Sequence, residues 1–201
     1  MANIRKGMTV VDVGANLGYY TRLLSALVGS TGHVYAFEPD EENFAYLERN
    51  VRGLANVHIY KMAVSDTVGK VTFYHVRDMT GTHTTLPVSG ADEYEVEATS
   101  LDQFMKSHAI HRIDALKIDV EGAEPQVFRG MKMLLSQKAP PLVVFEYTPA
   151  ILEGFLQELQ KEHQLWALNP RGSRIPLDQL TFKKGKTFFA NVVLFDDKAR
   201  A

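Results

Sequence analysis

The chain has 201 residues, of which 45% are hydrophobic, which is enough apolar material for one well-buried domain. Its net charge of −2 at pH 7, with dispersed lysine and arginine, argues against nucleic acid as a partner. No apolar run is long enough to cross a membrane, no secretory leader is recognisable, and the lack of cysteine excludes disulfides and thiolate metal sites. We therefore expect a single cytoplasmic domain over residues 1–201.

The first predicted unit, residues 8–38, alternates strand, turn, helix and strand. Its opening run at 8–13 is apolar and rich in β-branched residues, which is typical of a buried strand. A glycine-containing turn follows at 14–18, where the chain leaves the extended conformation. Apolar residues then recur at helical spacing through 19–28, and residues 33–37 form the second strand.

A unit with glycines in its first turn and an acid after its second strand is typical of a Rossmann-type nucleoside site. Glu38 is that acid, and its carboxylate can accept hydrogen bonds from ribose hydroxyls. A dinucleotide fingerprint starting at Gly14 needs glycines where Asn16 and Tyr19 stand, so the turn does not suit a pyrophosphate. Asp12 can attract an ammonium group, while Asn16 and the backbone amides can hold a carboxylate. S-adenosylmethionine has these groups.

The next elements continue the alternation. Residues 40–50 are predicted to form a helix and residues 57–61 a third strand. Two alternating segments, 71–76 and 94–98, are predicted strands on either side of a polar stretch. We expect the segment 71–98 to form an extra strand pair or a lid over the pocket.

The second half of the chain returns to alternating helices and strands. Ser100 is expected to open a helix in which Asp102 is a first-turn acid that interacts with the helix dipole. The basic stretch 169–186 is expected to be a solvated loop, with a place at the substrate mouth as the alternative. The predicted elements are a helix at 101–108, a strand at 115–120, a helix from Pro125 with buried positions Val127, Phe128, Met131, Leu134 and Leu135, a strand at 142–146, a helix at 149–163 and strands at 165–168 and 188–195.

Five ordered sequence blocks resemble the FkbM family of class I methyltransferases and span nearly the whole chain. They are DVGANLGYYT from Asp12, the pair Glu38-Pro39, AVSD at Ala63–Asp66, TSLDQF at Thr99–Phe104 and LKIDVEGAE at Leu116–Glu124. The resemblance implies a Rossmann-like α/β fold with a mostly parallel seven-stranded sheet. It also implies that the last strands, 165–168 and 188–195, form an antiparallel edge in which the last strand is antiparallel. Helices are expected on both faces, with the insert at 71–98 shaping the substrate pocket.

The resemblance further implies the cofactor, S-adenosylmethionine, and the residues that hold it. Asp66 is expected to accept a hydrogen bond from the adenine amine, and the alternative is a turn-forming aspartate before Gly69. The predicted cofactor-binding residues are Asp12, Gly14, Asn16, Gly18, Glu38, Ala63, Asp66 and Asp119.

Methyl transfer to a hydroxyl needs an aligned acceptor and a group that takes the acceptor's proton. We predict Asp119, Glu121 and His83 as catalytic residues, with Glu124 next in order and Glu146 on the neighbouring strand. Glu121 and Glu124 are equally explained as acids of a first helical turn. No metal is predicted, and an oxygen-rich divalent site built from Asp119, Glu146 and His83 is left as the alternative.

These features together predict O-methylation of a hydroxyl on a small molecule such as a polyketide or a sugar. Two alternatives stay open, a nicotinamide-dependent oxidoreductase that would share Glu38 and a non-catalytic nucleoside-binding domain. The absence of an Asn-Pro-Pro-Tyr type motif argues against methylation of a nucleic-acid base. The expected partner is the small-molecule substrate alone, with no nucleic acid and no membrane. The sequence does not predict the oligomeric state.

Overall fold

A computed structural model of the chain describes residues 3–76, 84–137, 140, 142–147, 149–168, 173–177 and 190–195. No helix in these ranges combines the length and the apolar character that a membrane span requires. The elements are β1 (Thr9–Val13), α1 (Tyr19–Val28), β2 (His33–Phe37), α2 (Glu41–Val51), β3 (Val57–Tyr60), β4 (Ala63–Val64), β5 (Gly69–His75), β6 (Asp92–Thr99), α3 (Leu101–Ser107), β7 (Ala115–Ile118), α4 (Glu124–Arg129), α5 (Lys132–Ser136), β8 (Leu142–Tyr147), α6 (Pro149–Glu162), β9 (Leu165–Leu168), β10 (Arg174–Pro176) and β11 (Ala190–Phe195).

The main sheet has the strand order β10-β9-β11-β8-β7-β1-β2-β3. Strands β3, β2, β1, β7 and β8 pair in parallel, while β11 is antiparallel to both β8 and β9. The mostly parallel sheet and its antiparallel strand are thus confirmed. The antiparallel edge expected from the last strands is also confirmed, because β9 and β11 lie together at this side of the sheet, with β11 between β8 and β9.

An eighth strand, β10, pairs antiparallel with β9 and comes from the segment that was expected to be a solvated loop. Only the three residues Arg174–Pro176 take part. So short a segment shows no alternation, and proline is found in sheets mainly at edges. The sequence pattern therefore missed this strand.

The two faces of the sheet carry different helices, as expected for a parallel sheet buried on both sides. On the first face, Val11 and neighbouring strand residues pack against apolar side chains of α3, α4, α5 and α6. On the second face, Val10, Ala115 and Leu142 pack with Leu24 and Val28 of α1. The alternation of side chains along β1 thus divides the core into two layers.

A second, three-stranded sheet with the order β4-β6-β5 stands beside the main one. Strands β5 and β6 are antiparallel over Gly69–His75 and Asp92–Thr99, which confirms the predicted strand pair in the insert. Ala63 and Val64 form β4, which was not among the predicted strands, and pair in parallel with Ala98 and Thr99. Two residues are too few to show a period, so this strand could not be predicted from the sequence.

The helix predicted from Pro125 is two short helices, α4 and α5, separated at Gly130. A Cβ atom at Gly130 would lie 2.1 Å from the carbonyl oxygen of Ser65, so the backbone approaches the small sheet closely here. Val127, Phe128, Met131 and Leu134 are buried as predicted. Leu135 is only partly buried.

Asp102 lies in the first turn of α3, as expected, and it has a second structural role. Its carboxylate accepts hydrogen bonds from the backbone N–H groups of Met133 at 2.9 Å and Leu134 at 3.1 Å. These are free donors in the first turn of α5, which has no side-chain cap of its own. Asp102 of α3 therefore caps the start of a different helix.

We predict that Asp102→Ala lowers the free energy of unfolding by about 1 kcal/mol, since a lost N-terminal cap typically costs that much. Asp102→Asn keeps an acceptor oxygen and should lose less. Urea denaturation of both variants measures the difference. Equal stability of Asp102→Ala and the wild type would show that the cap contributes nothing.

Candidate active site

A pocket with a cavity volume of about 160 Å³ lies at the carboxyl ends of β1, β2 and β7. The strand order reverses at β1, because β2 and β3 lie on one side of it and β7 and β8 lie on the other. Open α/β sheets bind ligands at such a switch point. The small sheet forms the opposite wall, through residues such as Ala63 and Phe73. The pocket brings together six residues predicted for the site, which are Gly14, Asn16, Glu38, Ala63, Asp119 and Glu121.

The turn between β1 and α1 needs residues that tolerate positive φ angles. Gly14 has φ 74°, Asn16 has φ 51° and Gly18 has φ 87°. A Cβ atom at Gly14 would lie 1.8 Å from the carbonyl oxygen of Asp119, so glycine lets the turn pack against the end of β7. At Gly18 a Cβ atom would lie 2.7 Å from a methyl carbon of Leu47. The turn is thereby held close to both neighbouring elements.

Glu38 is 4% exposed, lines the pocket and contacts this turn directly. Its carboxylate accepts hydrogen bonds from the backbone N–H of Asn16 at 2.7 Å and of Asp40 at 3.0 Å. Burial raises the pKa of Glu38 to about 7, although these hydrogen bonds and one from Asn43 lower it. A carboxylate has about four lone-pair sites, so acceptor capacity is left for a ligand hydroxyl.

Behind Glu38, a polar network joins the small sheet to the main one. Asp40 accepts a hydrogen bond from the hydroxyl of Tyr94 at 2.8 Å and lies 2.8 Å from Nδ1 of His75. It also accepts a hydrogen bond from the backbone N–H of Asn43 and so caps α2. Sequence analysis missed this network because its members are far apart in the chain.

Asp12 is fully buried beneath the glycine turn, so it does not face the pocket directly. It accepts a hydrogen bond from the hydroxyl of Thr21 at 2.7 Å. The ammonium of Lys117 lies 3.2 Å from Oδ1 of Asp12 and 3.3 Å from Oδ2 of Asp119. Lys117 also donates to the carbonyl oxygen of Gly14 at 3.2 Å. One buried cation therefore ties together β1, β7 and the turn.

Sequence analysis missed Lys117. Burial alone lowers its pKa, but the attraction of Asp12 and Asp119 outweighs burial and leaves the pKa raised. The sequence feature that could have identified Lys117 is its position as the one charged residue of the apolar strand Ala115–Ile118, because a buried charge requires a partner. The contact of Asp12 with a ligand ammonium stays a prediction. Within the protein, the ammonium that pairs with Asp12 is that of Lys117.

Three carboxylates converge beyond the end of β7. Oxygen atoms of Asp119, Glu121 and Glu146 all lie within 4.8 Å of one another. Burial, followed by repulsion from Asp119, raises the pKa of both Glu121 and Glu146 to about 7. Such groups can accept a proton near neutral pH, and three carboxylate oxygens at this spacing are also able to bind a divalent cation.

The remaining predicted residues lie around this cluster or outside it. Glu124 is buried, accepts a hydrogen bond from the backbone N–H of Val120 at 3.2 Å, and has its pKa raised by burial. Asp66 accepts a hydrogen bond from Arg129 at 2.7 Å, which lowers its pKa, so its predicted contact with adenine stays a prediction. His83 lies outside the described residues. The alternative metal site was predicted from Asp119, Glu146 and His83. In the structure the third carboxylate beside Asp119 and Glu146 is that of Glu121.

We predict that Glu146→Gln stabilises the protein at about pH 8 and has little effect at about pH 4. In the unfolded chain Glu146 deprotonates at its ordinary pKa of 4.5, but in the folded protein it does so at about 7. Between these values the folded state holds a proton that the unfolded state has released, so stability falls as pH rises. Glutamine removes this loss.

Urea denaturation in the presence of EDTA at both pH values measures the effect. An equal change in the free energy of unfolding at the two pH values would contradict the assignment.

A family model and individual relatives in other organisms agree on the family to which this chain is similar. Residues 12–169 match the family model described as methyltransferase FkbM domain. The chain is 27% identical over 186 residues to the 2-O-methyltransferase NoeI of Sinorhizobium fredii, covering 81% of this chain and 75% of NoeI. It is 31% identical over 160 residues to the 31-O-demethyl-FK506 methyltransferase FkbM of Streptomyces tacrolimicus, covering 64% of this chain and 61% of that protein.

Among solved structures, the fold matches a methyltransferase FkbM from Methylobacillus flagellatus KT with a TM-score of 0.57 at 13% identity. The match covers 94% of this chain and 44% of that one, so the chain spans less than half of that protein. At this identity the match concerns the fold, and it agrees with the class I methyltransferase architecture expected from the sequence.

Proposed function

This chain belongs to the methyltransferase FkbM family, whose members use S-adenosylmethionine, and we propose that it methylates a hydroxyl group on a small molecule. The observation that carries the choice of a hydroxyl is the convergence of Asp119, Glu121 and Glu146 beside the cofactor pocket. An alcohol must lose a proton when it is methylated, and this cluster provides groups that can take it. The names of NoeI and FkbM, both O-methyltransferases, support the same chemistry.

The described residues fit the cofactor. When bound, S-adenosylmethionine supplies a methyl group on a positively charged sulfur. We assign Glu38 to the ribose hydroxyls, because its buried carboxylate faces the pocket with acceptor capacity left. The turn at Gly14–Gly18 would face the amino-acid tail through its backbone amides and Asn16. Met62 and Phe73 line the pocket with apolar surface suited to a nucleobase.

We assign Asp119 to contact the hydroxyl group of the methyl acceptor. Its side chain is 38% exposed, so a substrate can reach it, and the ammonium of Lys117 lies 3.3 Å from its carboxylate. Glu121 and Glu146 have carboxyl pKa values of about 7, which suits a general base working at neutral pH. We propose that Asp119 orients the hydroxyl and that one of the two glutamates takes the proton.

The test is an acceptor panel in which each hydroxyl compound is matched with its amino analogue. Hydroxylated polyketides and sugars are incubated with the enzyme and S-adenosylmethionine, and release of S-adenosylhomocysteine is measured with the product mass. We expect methylated product only from hydroxyl compounds. Methylation of the amino analogues alone would contradict the proposal.

We predict that Glu38→Ala weakens binding of S-adenosylmethionine by roughly 1–3 kcal/mol, since charge-assisted hydrogen bonds to the ribose are lost. Isothermal titration calorimetry measures the dissociation constant. Glu48→Ala, at an exposed position of α2, is the matched control and should bind as the wild type does. An unchanged dissociation constant for a folded Glu38→Ala variant would remove Glu38 from the site.

A further inference from the structure

A second cavity, of about 280 Å³, lies on the second face of the main sheet and is larger than the cofactor pocket. One wall is α1, and the floor is formed by β1, β7 and β8. We call this cavity the acceptor groove and define it by its apolar lining residues Tyr20, Leu24, Ala115, Leu142, Val144 and Leu168.

The acceptor groove meets the cofactor pocket at Asp119, which lines both. Glu146 and Lys117 line the same end, so the polar groups of the groove are gathered at the edge where the methyl group is transferred. From Asp119 the groove runs back along β7 to Ala115, which is about 13 Å at the usual rise of a strand. The groove therefore has one charged end and a long apolar body.

Apolar surface also continues outward from the groove along α1. Tyr20 is 43% exposed and Tyr19 is 74% exposed, while Leu23 on the same helix is 38% exposed. Large apolar side chains grouped at a surface commonly mark a binding site. An occupant of the groove can thus extend over α1.

We propose that the acceptor groove binds the apolar skeleton of the methyl acceptor and presents its hydroxyl at Asp119. The acceptor is accordingly an amphiphile, an aliphatic or polyketide-like skeleton bearing a hydroxyl, and not a free sugar. A sugar would place many hydroxyls against Leu24, Leu142 and Val144, where they would find few partners. This inference rests on the proposed function, because it assigns the substrate class of that same site.

The experiment uses 1-octanol as the probe and D-glucose as the polar comparison. Trp166 is the one tryptophan of the chain, and it packs against the same apolar cluster as Leu24 and Leu142, so its fluorescence reports on the groove. Binding is measured by this fluorescence and by calorimetry. We expect saturable binding of octanol and no binding of glucose.

Val144→Gln places a polar group on the groove floor and should weaken octanol binding at least fivefold. Val68→Gln makes the same change at an exposed position outside the groove and should bind octanol as the wild type does. Binding of S-adenosylmethionine is measured for every variant, and wild-type affinity shows that the fold is intact.

Equal octanol affinity of the wild type and Val144→Gln, or glucose binding comparable to that of octanol, would overturn the inference. So would a wild-type dimer that Val144→Gln converts to a monomer, because the groove would then hold a second copy of the chain. A wild-type protein that binds octanol but no S-adenosylmethionine would instead overturn the proposed function.

Discussion

Lys117→Met is expected to lower the free energy of unfolding by roughly 3–5 kcal/mol, because it leaves a buried carboxylate without its cation. Asp12 is fully buried, and among the described residues its Oδ1 atom accepts no hydrogen bond. The ammonium of Lys117, 3.2 Å away, is what compensates this atom. Methionine fills similar space, so the loss would report the missing charge and not a cavity.

The double variant Asp12→Asn with Lys117→Met should be less destabilised than Lys117→Met alone, because no unpaired charge stays buried. Lys70→Met is the matched control. Lys70 pairs with Glu95 at 3.2 Å on the exposed surface, and such pairs contribute about 0–1 kcal/mol. Urea denaturation of the wild type and these three variants measures the losses in free energy of unfolding. A loss in Lys117→Met no larger than in Lys70→Met would contradict the role of Lys117.

Asp119→Asn is expected to lower turnover about 10²- to 10⁴-fold, the usual range for losing a group that assists proton transfer. Asparagine keeps the shape of the side chain but loses the charge that faces both the pocket and the acceptor groove. Binding of S-adenosylmethionine should change little, because we assign most of the cofactor contacts to Glu38 and the glycine turn. The acceptor panel gives the rate, and calorimetry gives the cofactor affinity.

Asp92→Asn is the control for this prediction, since Asp92 is exposed at the start of β6. It should turn over at the wild-type rate. If Asp119→Asn also kept the wild-type rate, Asp119 would be part of the scaffold, and another group would have to orient the acceptor hydroxyl.

Elements long enough to show a period could be predicted from sequence alone. The strand, turn and helix of residues 9–28 follow from apolar spacing and from glycines that permit positive φ angles. Strands β4 and β10 could not be predicted, because two or three residues carry no period. The division of α4 from α5 at Gly130 depends on a close approach to Ser65, which is distant in sequence.

Some residues of the candidate site could likewise be predicted from the sequence, and others could not. Gly14, Asn16 and Glu38 were predicted because they sit in one local motif. The partnership of Lys117 with Asp12 depends on β7 lying beside β1, with Lys117 directly opposite Asp12 in register. The meeting of Glu146 with Asp119 likewise depends on the pairing of β7 with β8. Spacing along the chain does not contain these distances.

We propose that the turn after β1 and Glu38 together hold the methyl donor. Crystals grown with S-adenosylhomocysteine test this placement. We expect the ribose hydroxyls within hydrogen-bond distance of Glu38, the amino-acid tail against Gly14–Gly18, and the sulfur facing Asp119. A complex with the ligand bound elsewhere and this turn empty would contradict the account.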